Sequence, residues 1–297
     1  MINFRLLTFV DLCKTKNYTK TAANLGITQP AVSQHIQYLE DFYEAKLFSY
    51  RGRTLSITKQ GRLLEEFTTK MLADNNTLKE LIKSSLHKPT QIKLGTSSTI
   101  GEFLMPKVIA NYLENEEDKK LIMVVDNTKN LLEKLKYGDI DFAIIDGFFR
   151  KADYQCTLLF REQLVGICAK NHRFAHVPVS FDDLISERLI LREEGSEGRK
   201  NLELLLHEKN ISIDNFQSVM QIGHVNTTKN LVQKGLGIAF LYRHAVKKDI
   251  EDNQLCELHI TDFDVKREIN FVWLKNSFFT EDCLIFLDYC RRFIHTP

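Results

Sequence analysis

The stretch Tyr18-Thr-Lys-Thr-Ala-Ala-Asn-Leu-Gly-Ile-Thr-Gln-Pro-Ala-Val-Ser-Gln-His-Ile-Gln-Tyr-Leu-Glu40 decides the N-terminal fold. Ala22, Ala23 and Leu25 are spaced for a short helix whose small side chains admit a close neighbour, and Gly26 stands where that helix must stop. Thr28 can cap a second helix with its hydroxyl, and Pro30 is tolerated in the first turn, where amides have no intrahelical partner. Val32, Ile36 and Leu39 recur at i, i+4 and i+7 and should face a core, leaving Gln29, Ser33, Gln34 and Gln37 outward. Hydrogen-bonding side chains on a helix after a tight turn suit the base edges of a major groove. The segment has the form of a reader of double-stranded DNA.

Leu47 and Phe48 are followed by Arg51-Gly52-Arg53 and then by Leu55, Ile57, Thr58 and Gly61, a pattern for a two-stranded wing with a basic tip. Arginines there can pair with phosphate or enter the minor groove. With these residues in place, residues 2–61 resemble the winged helix-turn-helix of the LysR-type transcriptional regulators. The resemblance rests on Ala22, Leu25, Gln29-Pro30-Ala31, Ser33, Ile36, Leu39-Glu40, Leu47-Phe48, Arg53, Thr58 and Gly61 in order. Three positions depart from the family pattern: Tyr50 stands where arginine is usual, Thr21 where alanine is usual, and Glu44 where a helix-ending glycine is expected. The resemblance implies DNA contacts from Thr28, Gln29, Pro30, Ser33, Gln34, Gln37, Arg51 and Arg53 on a dyad-symmetric operator. It also implies a homodimer or homotetramer, with RNA polymerase as a further candidate partner.

The chain has 297 residues, 43% of them hydrophobic, which is too long for a lone DNA-binding module. Its net charge is only +1, yet residues 1–89 carry 13 Lys and Arg against 8 Asp and Glu, so the basic footprint is local. Arg5, Asp11 and Lys14 interrupt the first apolar stretch and no run reaches transmembrane length, so no secretory signal or membrane partner is expected and the location should be cytoplasmic. Cys13, Cys156, Cys168, Cys256, Cys283 and Cys290 lack metal-ligand spacing, and buried thiols are the leading reading. Cys283 and Cys290, seven apart in a helical pattern, keep a redox-switched regulator open as an alternative.

From Thr58 to Leu86 the pattern is one long helix with Leu64, Phe67, Met71, Leu78, Ile82 and Leu86 on a stripe that includes Asn75. A small winged domain cannot cover such a stripe alone, so the helix should pair with a second copy. Lys88-Pro89-Thr90 reads as a hinge. After it, strands alternate with helices as two doubly wound α/β lobes. The expected division is 1–58 winged domain, 59–87 linker helix, 88–90 hinge, 91–162 with 267–297 as lobe I, and 163–266 as lobe II. The fold class is therefore α/β with an α-rich winged helix-turn-helix, and the resemblance implies an effector part like the two-lobed periplasmic binding proteins.

In such sheets a ligand sits beyond the carboxyl ends of the strands. Four hydroxyl-rich or amide-rich loops point there: Gly95 to Thr99, Asn127-Thr128, Gly195 to Gly198, and Gly223 to Thr227. The candidate effector residues are Ser97, Ser98, Thr99, Asn127, Thr128, Asp146, Arg192, Ser196, His224, Asn226 and Thr227, and helix starts of this kind favour a small anionic effector. Arg199 could add charge, with Asp146, Glu193 and Glu194 available to neutralise it or Arg192. The runs Gly95 to Glu102, Leu191 to Ser196 and Gly235 to Leu241 are similar to regulators tied to sulfur assimilation, which implies a sulfur oxyanion such as sulfite. The Gly235-Leu-Gly-Ile run is also what sheet and turn geometry demands. A two-lobed cytosolic enzyme is the rival from another class. It lacks a Ser-His-Asp elbow, a P-loop or metal-ligand spacing, so neither enzyme activity nor a cofactor is expected.

Overall fold

A computed structural model describes residues 3–52, 54–83, 91–115, 119–261, 263–275 and 280–294. The chain divides into two compact units: the N-terminal part together with Lys136–Asp139 forms the first, and most of the described residues from Gln91 onward form the second.

The first unit opens with α1 (Phe4–Thr15), α2 (Tyr18–Leu25) and α3 (Gln29–Phe42). Gly26 ends α2 in the left-handed region at φ 64°, and Thr28 accepts a hydrogen bond from the Ala31 amide at 3.3 Å, so stop and cap fall where the residue types require. Strands β1 (Phe48–Arg51) and β2 (Thr54–Ile57) pair antiparallel as the wing. The helices and wing share a core that includes Phe9, Leu12, Ile36, Leu39, Leu47 and Leu55. Glu44, where glycine was expected, adopts φ 49°, so the chain turns left-handed there without glycine.

Helix α4 (Lys59–Lys83) follows the wing. Leu64 is buried in the winged-domain core, whereas Leu63, Phe67, Leu78 and Ile82 are exposed. The uncovered apolar edge thus begins at Leu63 rather than at Leu64, one residue away from the stripe expected from spacing. Leu86 and the hinge at Lys88-Pro89-Thr90 lie outside the described residues, as does Arg53. Among the described residues no helix is long and apolar enough to cross a membrane.

The second unit comprises β3 (Gln91–Thr96), α5 (Ser98–Phe103), α6 (Met105–Asn115), β4 (Lys120–Val125), α7 (Thr128–Lys136), β5 (Phe142–Ile145), β6 (Tyr154–Ala169), β7 (Pro178–Val179), α8 (Phe181–Leu184), β8 (Arg188–Leu191), α9 (Glu197–Glu208), β9 (Ser218–Gln221), α10 (Val225–Gln233), β10 (Ile238–Tyr242), α11 (Arg243–Glu251), β11 (Leu255–Glu257), β12 (His259–Ile260), β13 (Val265–Leu274) and α12 (Thr280–Ile294). The main sheet runs β4-β3-β5-β13-β6-β10-β8-β9, with β11 on β6. Within it β3, β4 and β5 are mutually parallel, and so are β8, β9 and β10. The short apolar run Phe142-Ala-Ile-Ile145 of β5 is buried throughout, as a strand covered on both faces must be.

One core gathers Leu94, Tyr112, Phe142, Phe271 and Phe286, and another gathers Leu189, Leu202, Leu206, Phe240 and Leu258. Between them β6 and β13 pair antiparallel from Leu164↔Val265 to Tyr154↔Leu274. The apolar run Leu164 to Ala169 is the end of a 16-residue strand that begins at Tyr154. Its first residues, Tyr154-Gln-Cys-Thr, alternate polar and apolar types and pair with β13, with Tyr154 and Cys156 packed against a hydrophobic cluster.

Candidate functional site

The carboxyl ends of β3, β4, β5, β8 and β10 surround a cavity of about 240 Å³. Three of the four loops expected to converge do so, bringing Ser97, Ser98, Thr99, Asn127, Thr128, Asp146, Arg192 and Ser196 to one wall or another. The fourth does not line it. His224 and Thr227 are exposed, Asn226 donates to Glu102, and the loop reaches only the back of Arg192, whose guanidinium donates to the Gly223 carbonyl at 3.5 Å. This loop follows β9, the edge strand beyond β8.

Several of the hydroxyls and amides expected to meet a ligand serve the fold. Ser196 accepts from the Arg199 amide at 3.2 Å and Asn127 from the Asn130 amide at 3.0 Å, so both are helix caps. Thr128 donates to the Asp146 carbonyl at 2.6 Å. Their backbones nevertheless deliver the first turns of α7 and α9 to the cavity, where amides have no intrahelical acceptor. Ser97 precedes α5 without capping it, and its Oγ is buried with no hydrogen-bond partner.

The charges are arranged differently from a simple anion pocket. Arg192 is 6% exposed and forks onto Glu193 through bonds of 2.8 and 2.9 Å, so its charge is neutralised beside the cavity. Arg199 lies outside the lining, bonded to Glu203 at 2.7 Å and Gln221 at 2.8 Å, with Glu194 at 3.8 Å. Five carboxylates face the space: Asp126, Asp146, Glu193, Glu194 and Glu197. Asp126 accepts from the Asn127 amide at 2.9 Å, and Glu197 from Lys200 at 2.6 Å. Asp146 is 3% exposed, and its Oδ1 has no hydrogen-bond partner. Burial raises the Asp146 carboxyl above the ordinary range; the nearby Tyr242 and Ser97 hydroxyls and the charge of Lys200 offset part of that, although neither hydroxyl reaches Oδ1 in hydrogen-bond geometry. Burial also raises Glu197, against the Lys200 ammonium and with the Asp146 charge. Tyr242 is held well above a normal phenol, by burial first and then by Asp146, and so stays protonated while its oxygen accepts from Asn201 at 3.1 Å.

On the first unit, α3 buries Val32, Ile36 and Leu39 and exposes Gln29, Gln34 and Gln37, with Ser33 half-buried. Thr28 and Pro30 are exposed at its start. Gln29 donates to Ser33 Oγ at 3.1 Å and Gln37 to Asp41 at 2.6 Å, so two of the outward amides are pre-oriented along the helix. Arg51 ends β1 at the wing tip. Residues 4–62 match the model of the bacterial regulatory helix-turn-helix protein, lysR family, and residues 87–294 match the LysR substrate binding domain.

This chain belongs to the LysR family of transcriptional regulators. The HTH-type regulator MJ0300 of Methanocaldococcus jannaschii is 29% identical over 267 residues, 89% of this chain and 90% of that protein. The HTH-type regulator CysL of Bacillus subtilis is 26% identical over 269 residues, 90% of this chain and 89% of that protein. Among solved structures, a full-length OxyR variant from Pseudomonas aeruginosa superposes with a TM-score of 0.65 at 21% identity, covering 98% of this chain and 95% of its own. Full-length LysG of Corynebacterium glutamicum with bound effector arginine gives 0.65 at 15% identity, with 99% and 98% covered. The last two likenesses concern fold. This LysR-type chain is thus a DNA-binding regulator with an effector-binding domain, and not an enzyme.

Sequence reading missed Tyr242, Phe240 and Leu241, which enter the regulator's cavity from the end of β10. Their buried apolar run announced a strand, and the aromatic at its carboxyl end was the available signal. It also missed that Cys168 and Cys256 stand directly opposite each other across β6 and β11. Burial, then Cys256, pushes the Cys168 thiol up to about 12, and burial likewise raises Cys13 and Cys290, so thiolate is scarce at neutral pH. Cys283 and Cys290 sit about 10 Å apart along α12, beyond the roughly 7 Å limit for a disulfide.

Proposed function

We propose that the cavity at the carboxyl ends of the strands is the effector site and that its occupant is a small oxyanion, with sulfite the first candidate. The observation that carries this reading is the arrival of two helix starts, α7 and α9, together with the unpartnered Ser97 hydroxyl, at one cavity of about 240 Å³. Free first-turn amides and aligned peptide dipoles favour negative charge without a free basic side chain. Sulfite is favoured by the similarity of Gly95 to Glu102, Leu191 to Ser196 and Gly235 to Leu241 to sulfur-assimilation regulators. The redox alternative loses its Cys283–Cys290 form, because those two cysteines cannot bridge within one helix.

Occupancy shifts the equilibrium between two arrangements of the lobes, 91–162 with 267–297 against 163–266, and changes how paired winged domains (1–58) hold an operator. The linker at 59–87 supplies the pairing, since Leu63, Phe67, Leu78 and Ile82 leave an apolar edge on α4 for a second copy. In the reading head, Gln29, Ser33, Gln34 and Gln37 meet base edges, while Thr28, Pro30, Arg51 and Arg53 set the position on the backbone. The work is cytoplasmic, where the operator is.

Thermal-shift titration with sulfite, sulfate and inorganic phosphate tests the effector arm. A true effector at a hundred times its Kd stabilises the folded state by about 2.7 kcal/mol, and no shift from any of these anions refutes the oxyanion reading. Gel shifts with the upstream region test the DNA arm. Binding should weaken steeply with salt, and Gln29→Ala should reduce operator affinity more than affinity for random DNA; an equal loss would leave Gln29 a positional role only.

A further inference from the structure

Asp146 holds a buried carboxyl, one oxygen of which the fold leaves without a hydrogen-bond partner. It lies at the carboxyl end of β5 and faces the cavity, with Oδ1 buried and without a hydrogen-bond partner, beside a Ser97 Oγ in the same condition. Each of the other four lining carboxylates has an amide or cation nearby: Asp126 the Asn127 amide, Glu193 the Arg192 guanidinium, Glu194 the Arg199 guanidinium, Glu197 the Lys200 ammonium. Lone buried acceptors are rare because desolvation is not repaid, so one on a residue that lines a ligand cavity points to a donor that arrives with the ligand.

Resting on the oxyanion reading above, we propose that Asp146 reads a proton on the effector: the bound group presents an O–H or N–H to Oδ1 while its oxyanion oxygens meet the Ser97 hydroxyl and the first turns of α7 and α9. The bridge between Asp146 and the ligand holds one proton. If both groups enter ionised, binding takes that proton from solvent; if the ligand enters as hydrogen sulfite or hydrogen phosphate, or as an ammonium, it brings the proton itself. A fully deprotonated sulfate has nothing to donate and sets its oxygen against an ionised Asp146, so it binds only at the cost of first protonating that carboxylate. Hydrogen-bonding sites of this kind reject the analogue that lacks the donor far more strongly than apolar pockets reject a missing methylene.

The other ionisable groups around the cavity do not supply that proton. Asp126, Glu193, Glu194 and Glu197 are acceptors like Asp146, Arg192 is held by Glu193, and Lys200 is held by Glu197. Tyr242 keeps its own proton: its oxygen accepts from Asn201, and its O–H lies toward the Asp146 carboxyl without reaching Oδ1 in hydrogen-bond geometry. Burial, which disfavours the Asp146 anion, makes the shared proton the cheaper arrangement.

The test is calorimetric titration of the full chain with sulfite, sulfate, inorganic phosphate and glycine between pH 6 and 8, in two buffers of different ionisation heat. The expected result is that sulfate binds more than about a hundredfold more weakly than the best donor-bearing anion, and that sulfite binding weakens as pH rises with net uptake of a proton. Sulfite or phosphate as the strong binder identifies an O–H source, and glycine an N–H source. Asp146→Asn, whose amide can donate, should gain sulfate binding and lose the pH dependence. Should that variant not fold, proton uptake by the unaltered protein decides. Sulfate binding as tightly as sulfite with no proton uptake overturns the role of Asp146 and leaves the oxyanion site standing. Failure of every probe to bind overturns both.

Discussion

Glu40 ties the reading helix to the wing, and its removal should be costly out of proportion to its size. Its carboxylate is 8% exposed and Oε1 accepts from the amides of Leu47 at 2.9 Å and Phe48 at 3.4 Å, while Oε2 takes the Lys46 ammonium at 2.5 Å. Lys46 is itself well exposed, so that pair adds little and the buried amides dominate. Glu40→Ala leaves one well-made and one long hydrogen bond without an acceptor. At about 1–3 kcal/mol for each stranded donor, weighted down for the longer bond, the loss is about 2–4 kcal/mol. Glu40→Gln keeps a carbonyl oxygen in reach and should cost only about 1 kcal/mol through loss of charge assistance. Urea unfolding of the full chain with hydrogen exchange at the Leu47 and Phe48 amides reads both quantities. Those two amides should lose protection in Glu40→Ala and largely keep it in Glu40→Gln, with operator affinity falling in the same order. If the two variants cost the same, or alanine leaves both amides protected, the tie between α3 and β1 is not what holds the wing.

Three further outcomes follow from particular residues. Gly237 has φ 153°, and a Cβ there would stand 2.5 Å from the Arg188 carbonyl oxygen, so Gly237→Ala should lower stability by about 1–3 kcal/mol in thermal unfolding; a neutral result would contradict the close approach of β8 and β10. Replacing both Phe67 and Ile82 on α4 with Asp should dissociate the dimer in sedimentation while hydrogen exchange in the α1–α3 core is kept, and an unchanged mass would place the self-association elsewhere. Because the folded-state pKa of Asp146 is raised, the folded protein binds its proton more tightly than the unfolded chain does. The ligand-free protein should therefore lose stability as pH rises from the ordinary carboxylate range through the raised value, and Asp146→Asn should flatten that part of the stability profile.

Legibility in the sequence followed the range of the forces involved. The stop at Gly26, the cap at Thr28 and the buried triplet Val32, Ile36 and Leu39 depend on neighbours within a few residues, so spacing alone placed them. The wing and the alternation of strands and helices are legible for the same reason. A long helix after the wing was equally plain, but which edge of it stays uncovered was not: Leu64 is claimed by the winged-domain core and Leu63 is not, a matter of where α4 meets its own domain. The full length of the 16-residue β6 is not legible locally because most of it pairs with β13, some hundred residues away.

Ser97, Asn127, Thr128, Asp146, Arg192 and Ser196 could be gathered from sequence because each sits where a strand gives way to a loop or helix, and parallel strands bring such points to one edge of a sheet. Tertiary structure decided that the loop at Gly223 to Thr227 stays outside, since nothing local reveals where β9 joins the sheet. Tertiary structure likewise sorted the polar groups into those already spent as caps and the two, Ser97 Oγ and Asp146 Oδ1, left without partners. The sequence by itself determined a winged DNA reader joined by a long helix to an α/β sensor, because caps and hydrophobic periods are local physics. Only the tertiary structure decided which charges remain unanswered at the cavity, because desolvation and hydrogen-bond satisfaction depend on every chain segment that packs around a group.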